Sequence, residues 1–114
     1  MRKVITFVLV AGLLGPAVAP AAAATKRVRV GDNFFVRDSG VPTVTVNRGD
    51  RVTWVWRGDS SHNVKVTRGP SRLGGGSATQ RSGRFSKVVR KRGTYTIVCT
   101  VHGARDQSMR LVVR

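Results

Sequence analysis

The sequence predicts an all-β domain, an antiparallel sandwich or barrel of seven or eight short strands. Three observations indicate this class. Apolar residues alternate with polar ones in several short segments, turn residues recur every eight to twelve positions, and no segment carries the apolar stripe of an amphipathic helix. Short alternating segments between regular turns are typical of packed or closed antiparallel sheets.

Four segments in the first half of the domain alternate apolar residues with polar or charged ones, which is the period of a half-buried strand. They are residues 26–30, 43–46, 51–56 and 62–66. In the third of these segments Val52, Trp54 and Trp56 share one face, so we expect that face to lie in the core.

A segment rich in glycine, serine and proline, residues 68–83, has no apolar period and is a predicted loop. Extended structure resumes at residues 84–89 and at 94–99. A last strand carries its apolar residues in register at alternate positions. They are Met109, Leu111 and Val113.

Residues 1–24 have the three-part layout of a secretory signal. Two basic residues precede an apolar stretch at 4–15, and four alanines follow at 21–24. Cleavage after Ala24 leaves a mature domain at 25–114, so we expect an exported protein that is extracellular, at the cell surface or periplasmic. The alternative is an uncleaved membrane anchor, against which the short stretch and its two flanking prolines argue.

The chain is strongly basic. It has 21 lysines and arginines and five aspartates, and because two of the basic residues lie in the predicted signal, 19 remain in the mature domain for a formal charge of +14. Such a charge favours acidic surfaces. The basic residues are scattered and the signal directs the chain out of the cell, so we expect no nucleic acid. The expected partners are a redox protein with an acidic docking surface and, at the membrane or cell wall, anionic polymers or lipid head groups. The alternative explanation of the charge is a compositional bias without function. We expect the protein to be a monomer.

The number of cysteines restricts how so small a domain is stabilised. Cys99 is the only cysteine, which excludes an internal disulfide. Small exported domains usually add disulfides or a metal ion to a limited hydrophobic core. A bound metal is therefore the stabilising element that the composition leaves.

The segment 97–109, IVCTVHGARDQSM, concentrates side chains that bind metals. Cys99 and His102 lie where a predicted strand enters a loop, so both can reach one ion. His62 begins another strand, which a sandwich can bring beside the end of the Cys99 strand. Two histidines, one cysteine and a weak fourth donor form the ligand set of an electron-transfer copper site.

These features resemble the cupredoxins, the plastocyanin-like and azurin-like blue copper proteins. The resemblance extends over residues 32–114 and is carried by GDRVTW at 49–54, SHNV at 61–64 and GTYTIVCTVH at 93–102. It implies a Greek-key sandwich that binds one Cu(I)/Cu(II) ion at a type 1 site and carries single electrons.

The resemblance also implies roles for individual residues. His62, Cys99 and His102 match the three strong copper ligands by position. Asn63 matches the residue that ties the two ligand loops together.

The axial ligand departs from the commonest family pattern, because no methionine lies three to five residues after His102. Gln107 lies five residues after it and leaves seven residues for the last strand, whereas Met109 lies seven residues after it and leaves five. The family's usual spacing favours Gln107, as in the stellacyanin-like members, and Met109 is the alternative.

Three other functions remain open at this point. A copper-delivery protein would use the same ligands but exchange copper rapidly. A cysteine hydrolase would use Cys99 as nucleophile and His102 as base, oriented by Asp106. A metal-free domain that binds polyanions leaves the joint occurrence of cysteine and histidines unexplained. Because four protein donors leave no open position on the metal, we expect a carrier rather than an enzyme.

Overall fold

The computed structural model of the chain describes residues 22–37 and 40–114. Residues 1–21 of the predicted signal segment lie outside the described residues. Within the described ranges, no helix is both long enough and apolar enough to cross a membrane.

Eight strands form two four-stranded sheets in this part of the chain. They are β1 (Thr25–Gly31), β2 (Phe34–Phe35), β3 (Thr43–Val46), β4 (Arg51–Trp56), β5 (Lys65–Arg68), β6 (Arg84–Val88), β7 (Gly93–Val98) and β8 (Ser108–Val113). The first sheet has the order β2-β1-β4-β6 and the second β3-β8-β7-β5. The predicted Greek-key β-sandwich is confirmed, with eight strands.

The sheets are mixed rather than wholly antiparallel. β1 pairs with β4 in parallel and β3 with β8 in parallel, whereas the remaining four pairings in the described ranges are antiparallel. The chain crosses to the second sheet as β3 before it returns as β4, so β4 runs in the same direction as β1. Alternation along a strand reports the buried face and not the direction of a neighbour, so it could not distinguish these cases.

The core fills the space between the two sheets with the alternating residues that the sequence predicts. Val52, Trp54 and Trp56 of β4 are all buried, as are the alternate apolar residues of β7 and β8. Trp54 also stacks in a tilted arrangement on Phe85, with 5.7 Å between the ring centroids. Burial of these large side chains is the main force that holds the sandwich together.

The strand predicted at residues 62–66 begins later in the structure, at Lys65. His62 forms an isolated antiparallel bridge with Gln80 instead, through reciprocal backbone hydrogen bonds of 2.9 and 3.0 Å. This part of the chain therefore pairs first with the long loop and only then with β7. Residues 62–66 are therefore extended as predicted, but His62 pairs with Gln80 of the loop, whereas Lys65 and Val66 pair with β7.

The loop predicted at residues 68–83 consequently has a defined path. It contains a short 3₁₀ turn at Leu73–Gly75, which buries Leu73 against the core. Further along, the Ser77 backbone N–H donates to the Val64 carbonyl, and the Val64 N–H donates to the Ser77 hydroxyl oxygen. The loop thus supports the segment that carries His62.

Several strands begin or end at the same end of the sandwich. Val30 pairs with Trp56 where β1 and β4 end, and Val98 pairs with Ser108 where β7 ends and β8 begins. The side-chain amide of Gln107, directly before β8 of the second sheet, donates to the Gly31 carbonyl in the first sheet, which joins the sheets at this end. The predicted ligands all lie on the loops that leave it.

Candidate metal centre

Two separate connections between strands bring the predicted strong ligands together. His62 lies on the connection between β4 and β5, Cys99 directly follows β7, and His102 lies in the loop between β7 and β8. One ligand atom of each residue lies within 4.8 Å of the others. The sequence prediction that these side chains converge agrees with this geometry.

The donor atoms face one another at separations that suit a metal ion. The Cys99 Sγ atom lies 3.9 Å from His62 Nδ1 and 3.5 Å from His102 Nδ1. A first-row ion with bonds of about 2.0 Å to nitrogen and about 2.3 Å to sulfur gives S···N separations of about 3.5–3.8 Å. One thiolate and two imidazole nitrogens therefore fit a first-row metal ion, and this donor set suits copper.

The loop after Cys99 is tight and tied to its own start. The Gly103 backbone N–H donates to the Cys99 carbonyl, and the Cys99 N–H donates to the Gln107 carbonyl. Gly103 has a φ of +85°, a left-handed conformation that glycine adopts without steric cost. These bonds return the chain to β8 and place residue 107 beside the cysteine.

Gln107 is fully buried at the site and is oriented by both ends of its amide. Its Nε2 group donates to the carbonyls of Gly31 and Phe34, at 3.0 and 2.9 Å. Its Oε1 atom therefore points the other way and lies 2.9 Å from His62 Nδ1. Met109, the alternative axial ligand, lies opposite Ile97 in the β7–β8 ladder and belongs to the hydrophobic core.

The two ring nitrogens of His62 both face acceptors. Nε2 lies 2.9 Å from Asp32 Oδ1, and Nδ1 lies 2.9 Å from the side-chain Oε1 atom of Gln107. An imidazole that donates its proton to Asp32 presents the Nδ1 lone pair to another lone pair, which is repulsive unless a cation lies there. This arrangement of oxygen, nitrogen and sulfur acceptors is a second observation that fits a bound metal ion.

Asn63 connects the two ligand loops, as the resemblance implies. Its Oδ1 atom accepts a hydrogen bond of 2.8 Å from the Thr100 backbone N–H, and its Nδ2 group donates to the hydroxyls of Thr100 and Thr79. Because Asn63 and Thr100 adjoin His62 and Cys99, these bonds hold the two ligands in a common frame.

Asp32 and Ser60 also contact the site, and the sequence did not indicate them. The Asp32 carboxylate binds His62 Nε2, and the Ser60 hydroxyl donates to that carboxylate at 2.8 Å. The hydrogen bond to His62, followed by bonds from the backbone and side chain of residues 59 and 60, lowers the pKa of Asp32 well below its usual range. The only linear signal is an aspartate in the turn after the first strand, which is common in turns of every function.

Solved structures of amicyanin mutants have a similar sandwich, and the descriptions of some of them name a Cu(I) form. A methionine-to-glutamine mutant of amicyanin in its Cu(I) form is 26% identical, with a TM-score of 0.64, over 79% of this chain and 82% of that chain. An oxidized proline-to-glycine mutant of amicyanin is 27% identical, with a TM-score of 0.62, over the same shares. This chain has the cupredoxin fold.

The resemblance in the motifs is thereby confirmed by structural similarity. No protein-family model and no curated protein sequence matches this chain. An oxidized methionine-to-leucine mutant of amicyanin is 25% identical and covers more of the chain, 87%, with a TM-score of 0.61. In this chain the group His62, Cys99 and His102 fits a type 1 copper site.

Proposed function

We propose that this protein is an exported blue copper protein that carries single electrons between redox partners. His62, Cys99 and His102 would hold one copper ion. The observation that supports this most directly is that the only cysteine and the only two histidines of the chain, from two separate loops, meet within 4.8 Å. Bound copper supplies a one-electron couple between Cu(I) and Cu(II).

The protein's own contribution is a fixed and dry set of ligands. Cys99 and His62 are fully buried, and the bonds of Asn63 and Gln107 hold the loops that carry them. A ligand frame that does not move between oxidation states lowers the cost of reorganisation in each electron transfer. Exclusion of water keeps small molecules from the metal. It also lowers the local dielectric constant, so each ligand has a stronger electrostatic effect on the reduction potential.

His102 is the ligand with access to solvent. It is half-buried, and its neighbour Val101 is an exposed apolar residue with 51% of its surface accessible. A partner that packs on Val101 would therefore come close to the His102 ring. This supports His102 as the place where electrons enter and leave.

Gln107 is the proposed axial ligand. The two carbonyls that accept from its amide N–H groups leave only its Oε1 atom free to face the site. Met109 lies in the core ladder of β8, which supports a packing role for it. With four protein donors no position remains for a substrate, which is the expectation for a carrier rather than an enzyme.

The cysteine hydrolase and the copper-delivery protein are the two competing functions that would use Cys99. A cysteine nucleophile needs access to its substrate, and Cys99 is completely buried, which argues against the hydrolase. Copper delivery uses the same ligands and differs in kinetics. A delivery protein loses Cu(I) to chelators rapidly, whereas a carrier retains copper through many cycles of oxidation and reduction.

Export and the partner are further parts of the proposal. The signal at residues 1–24 and the formal charge of +14 on the mature domain support a monomer outside the cytoplasm with an acidic redox partner or an anionic surface. Ala24 makes two backbone hydrogen bonds to the domain, to the Asp50 carboxylate and from the Arg51 N–H. Cleavage after Ala24 would give up both bonds.

The test is the colour of the Cu(II) form. A short copper–thiolate bond from Cys99 should produce intense absorption in the visible range, and Cys99→Ser should abolish it. Thr100→Ser is the matched control, because it changes the next residue equally little and retains the hydroxyl that Asn63 binds. A colourless complex, or a colour that survives Cys99→Ser, would exclude a blue copper site.

A further inference from the structure

The Asp32 carboxylate is surrounded by donors from the segment that leads to His62. The backbone N–H groups of Asp59 and Ser60 donate to it at 3.1 Å, and the Ser60 hydroxyl donates at 2.8 Å. The fifth polar contact is His62 Nε2, at 2.9 Å. The turn between β1 and β2 therefore holds the loop between β4 and β5 through one side chain.

This close approach depends on a glycine. A Cβ atom at Gly58 would overlap the Asp32 carboxylate, and it would lie 2.7 Å from the Cγ atom and 2.9 Å from the backbone nitrogen of Asp32. Gly58 is not among the described residues with positive φ, so its small size and not its backbone freedom is what matters here. Any side chain at position 58 would therefore displace the Asp32 carboxylate.

The chemistry of this contact determines where the His62 proton lies. An ionised carboxylate only accepts hydrogen bonds, and the Ser60 hydroxyl proton is already donated to Asp32. The groups near Nε2 are therefore acceptors, and the charged Asp32 carboxylate holds a proton more strongly than the neutral Gln107 Oε1 atom that faces Nδ1, so the contact favours the proton on Nε2. The Nδ1 lone pair then remains available on the side of Cys99 and Gln107.

We propose that Asp32 is a positioning residue for the metal ligand His62, which fixes its Nε2–H tautomer and increases the electron density that Nδ1 donates. This rests on the proposed copper function. A carboxylate behind a ligating histidine raises the basicity of that ligand and favours the more highly charged ion. Asp32 therefore stabilises Cu(II) more than Cu(I) and lowers the reduction potential.

The first experiment removes the charge of Asp32. Asp32→Asn retains the size of the side chain and one acceptor oxygen. We expect Cu(II) affinity to fall about tenfold, the lower end of the range for such contacts, because solvent screens a partly exposed carboxylate. The Asp32 side chain is 43% exposed. Cu(I) affinity should fall less, so the reduction potential should rise.

Asp59→Asn is the matched control. It removes the same charge from the loop that faces Asp32, but in the described ranges only the Asp59 backbone is hydrogen-bonded. The control should leave the Cu(II) affinity and the potential unchanged. Gly58→Ala, which displaces the carboxylate without removing it, should change both quantities in the direction of Asp32→Asn. Equal effects of the two asparagine substitutions, or no effect of Asp32→Asn, would overturn the proposal.

The second experiment needs no metal. Nitrogen NMR of the imidazole ring should detect a proton on His62 Nε2 in the wild-type protein and in Asp59→Asn. In Asp32→Asn the amide oxygen keeps the donors of residues 59 and 60 and still faces Nε2, but it carries no charge. A larger share of the protein should therefore carry the proton on Nδ1, where Gln107 Oε1 accepts it. A wild-type His62 without a proton on Nε2 would refute the role of Asp32 even if a blue site forms. A wild-type protein without Cys99-dependent colour would instead refute the proposed function, whereas this NMR signal reports the Asp32–His62 pair alone.

Discussion

Gln107 is the residue at which spacing in the sequence and geometry in the fold can be compared most directly. The spacing from His102 and the length of the last strand favoured Gln107 over Met109 as axial ligand. The structure holds the Gln107 amide nitrogen on two backbone carbonyls and leaves Oε1 at 2.9 Å from His62 Nδ1. The assignment remains a prediction, and substitution of each residue tests it.

Gln107→Met should raise the reduction potential of the copper protein. A thioether is a softer donor than an amide oxygen and favours Cu(I) over Cu(II). The substitution should also destabilise the fold by about 1–3 kcal/mol, because the carbonyls of Gly31 and Phe34 lose their donor. Voltammetry measures the potential, and denaturant unfolding measures the loss of stability separately.

Met109→Leu is the control for that experiment. It conserves volume in the core and should cost less than about 1.5 kcal/mol. It should leave the potential and the visible spectrum unchanged. If Met109→Leu shifts both while Gln107→Met shifts neither, Met109 is the axial ligand.

Residue types and spacing predicted the three strong donors but not the residues behind them. His62, Cys99 and His102 are identifiable because soft and imidazole side chains are rare in this chain. Asp32 is one of five aspartates and lies 30 positions before His62, so only the fold reveals its contact. A side chain that acts through another residue has no signature in the linear pattern.

At the scale of elements, Asn63 extends the pairing of β5 with β7 into the two loops that carry the ligands. Its side chain spans from the segment of His62 to Thr100 beside Cys99, with three hydrogen bonds of 2.8–2.9 Å. The position of one ligand relative to the other therefore depends on this amide. Its loss should affect both the fold and the retention of copper.

Asn63→Ala should destabilise the protein by about 1–3 kcal/mol, since the Thr100 N–H loses its acceptor. Copper should also dissociate faster, because the two ligand loops move independently. Thr79→Ala is the matched control, since it removes only the one hydrogen bond that Asn63 makes to the long loop. Denaturant unfolding and the rate of copper loss to a chelator provide the measurements. Equal effects of the two substitutions would mean that the tie to Thr100 contributes nothing.

The strands themselves were predicted well and their partners less so. The period-2 pattern identifies buried faces in β1, β3, β4, β7 and β8, because burial acts on each strand separately. The two-residue strand β2 is too short to show a period. Parallel pairing and the bridge of His62 to Gln80 depend on the path between the sheets, which alternation does not encode.

At the scale of the whole molecule, charge is the dominant surface property. The predicted mature domain carries 19 basic side chains against five aspartates. Exposed arginines also lie near the candidate metal centre, among them Arg57 after β4 and Arg105 in the loop that carries His102. Three aspartates, Asp32, Asp59 and Asp106, also lie in the loops at this end, so the positive charge that a redox partner meets is that of the whole domain.

Electron transfer with negatively charged partners should consequently slow steeply as the salt concentration rises. Exposed charges are screened over about 10 Å at 0.1 M ionic strength, and electrostatic steering changes association rates by about tenfold or more. An anionic oxidant such as hexacyanoferrate(III) serves as the probe, with a cationic cobalt(III) complex as the control. Stopped-flow oxidation of the Cu(I) protein should slow with salt for the anion and accelerate for the cation, since the cation is repelled at low salt. Rates that do not depend on ionic strength for either probe would indicate that the basic composition does not steer docking.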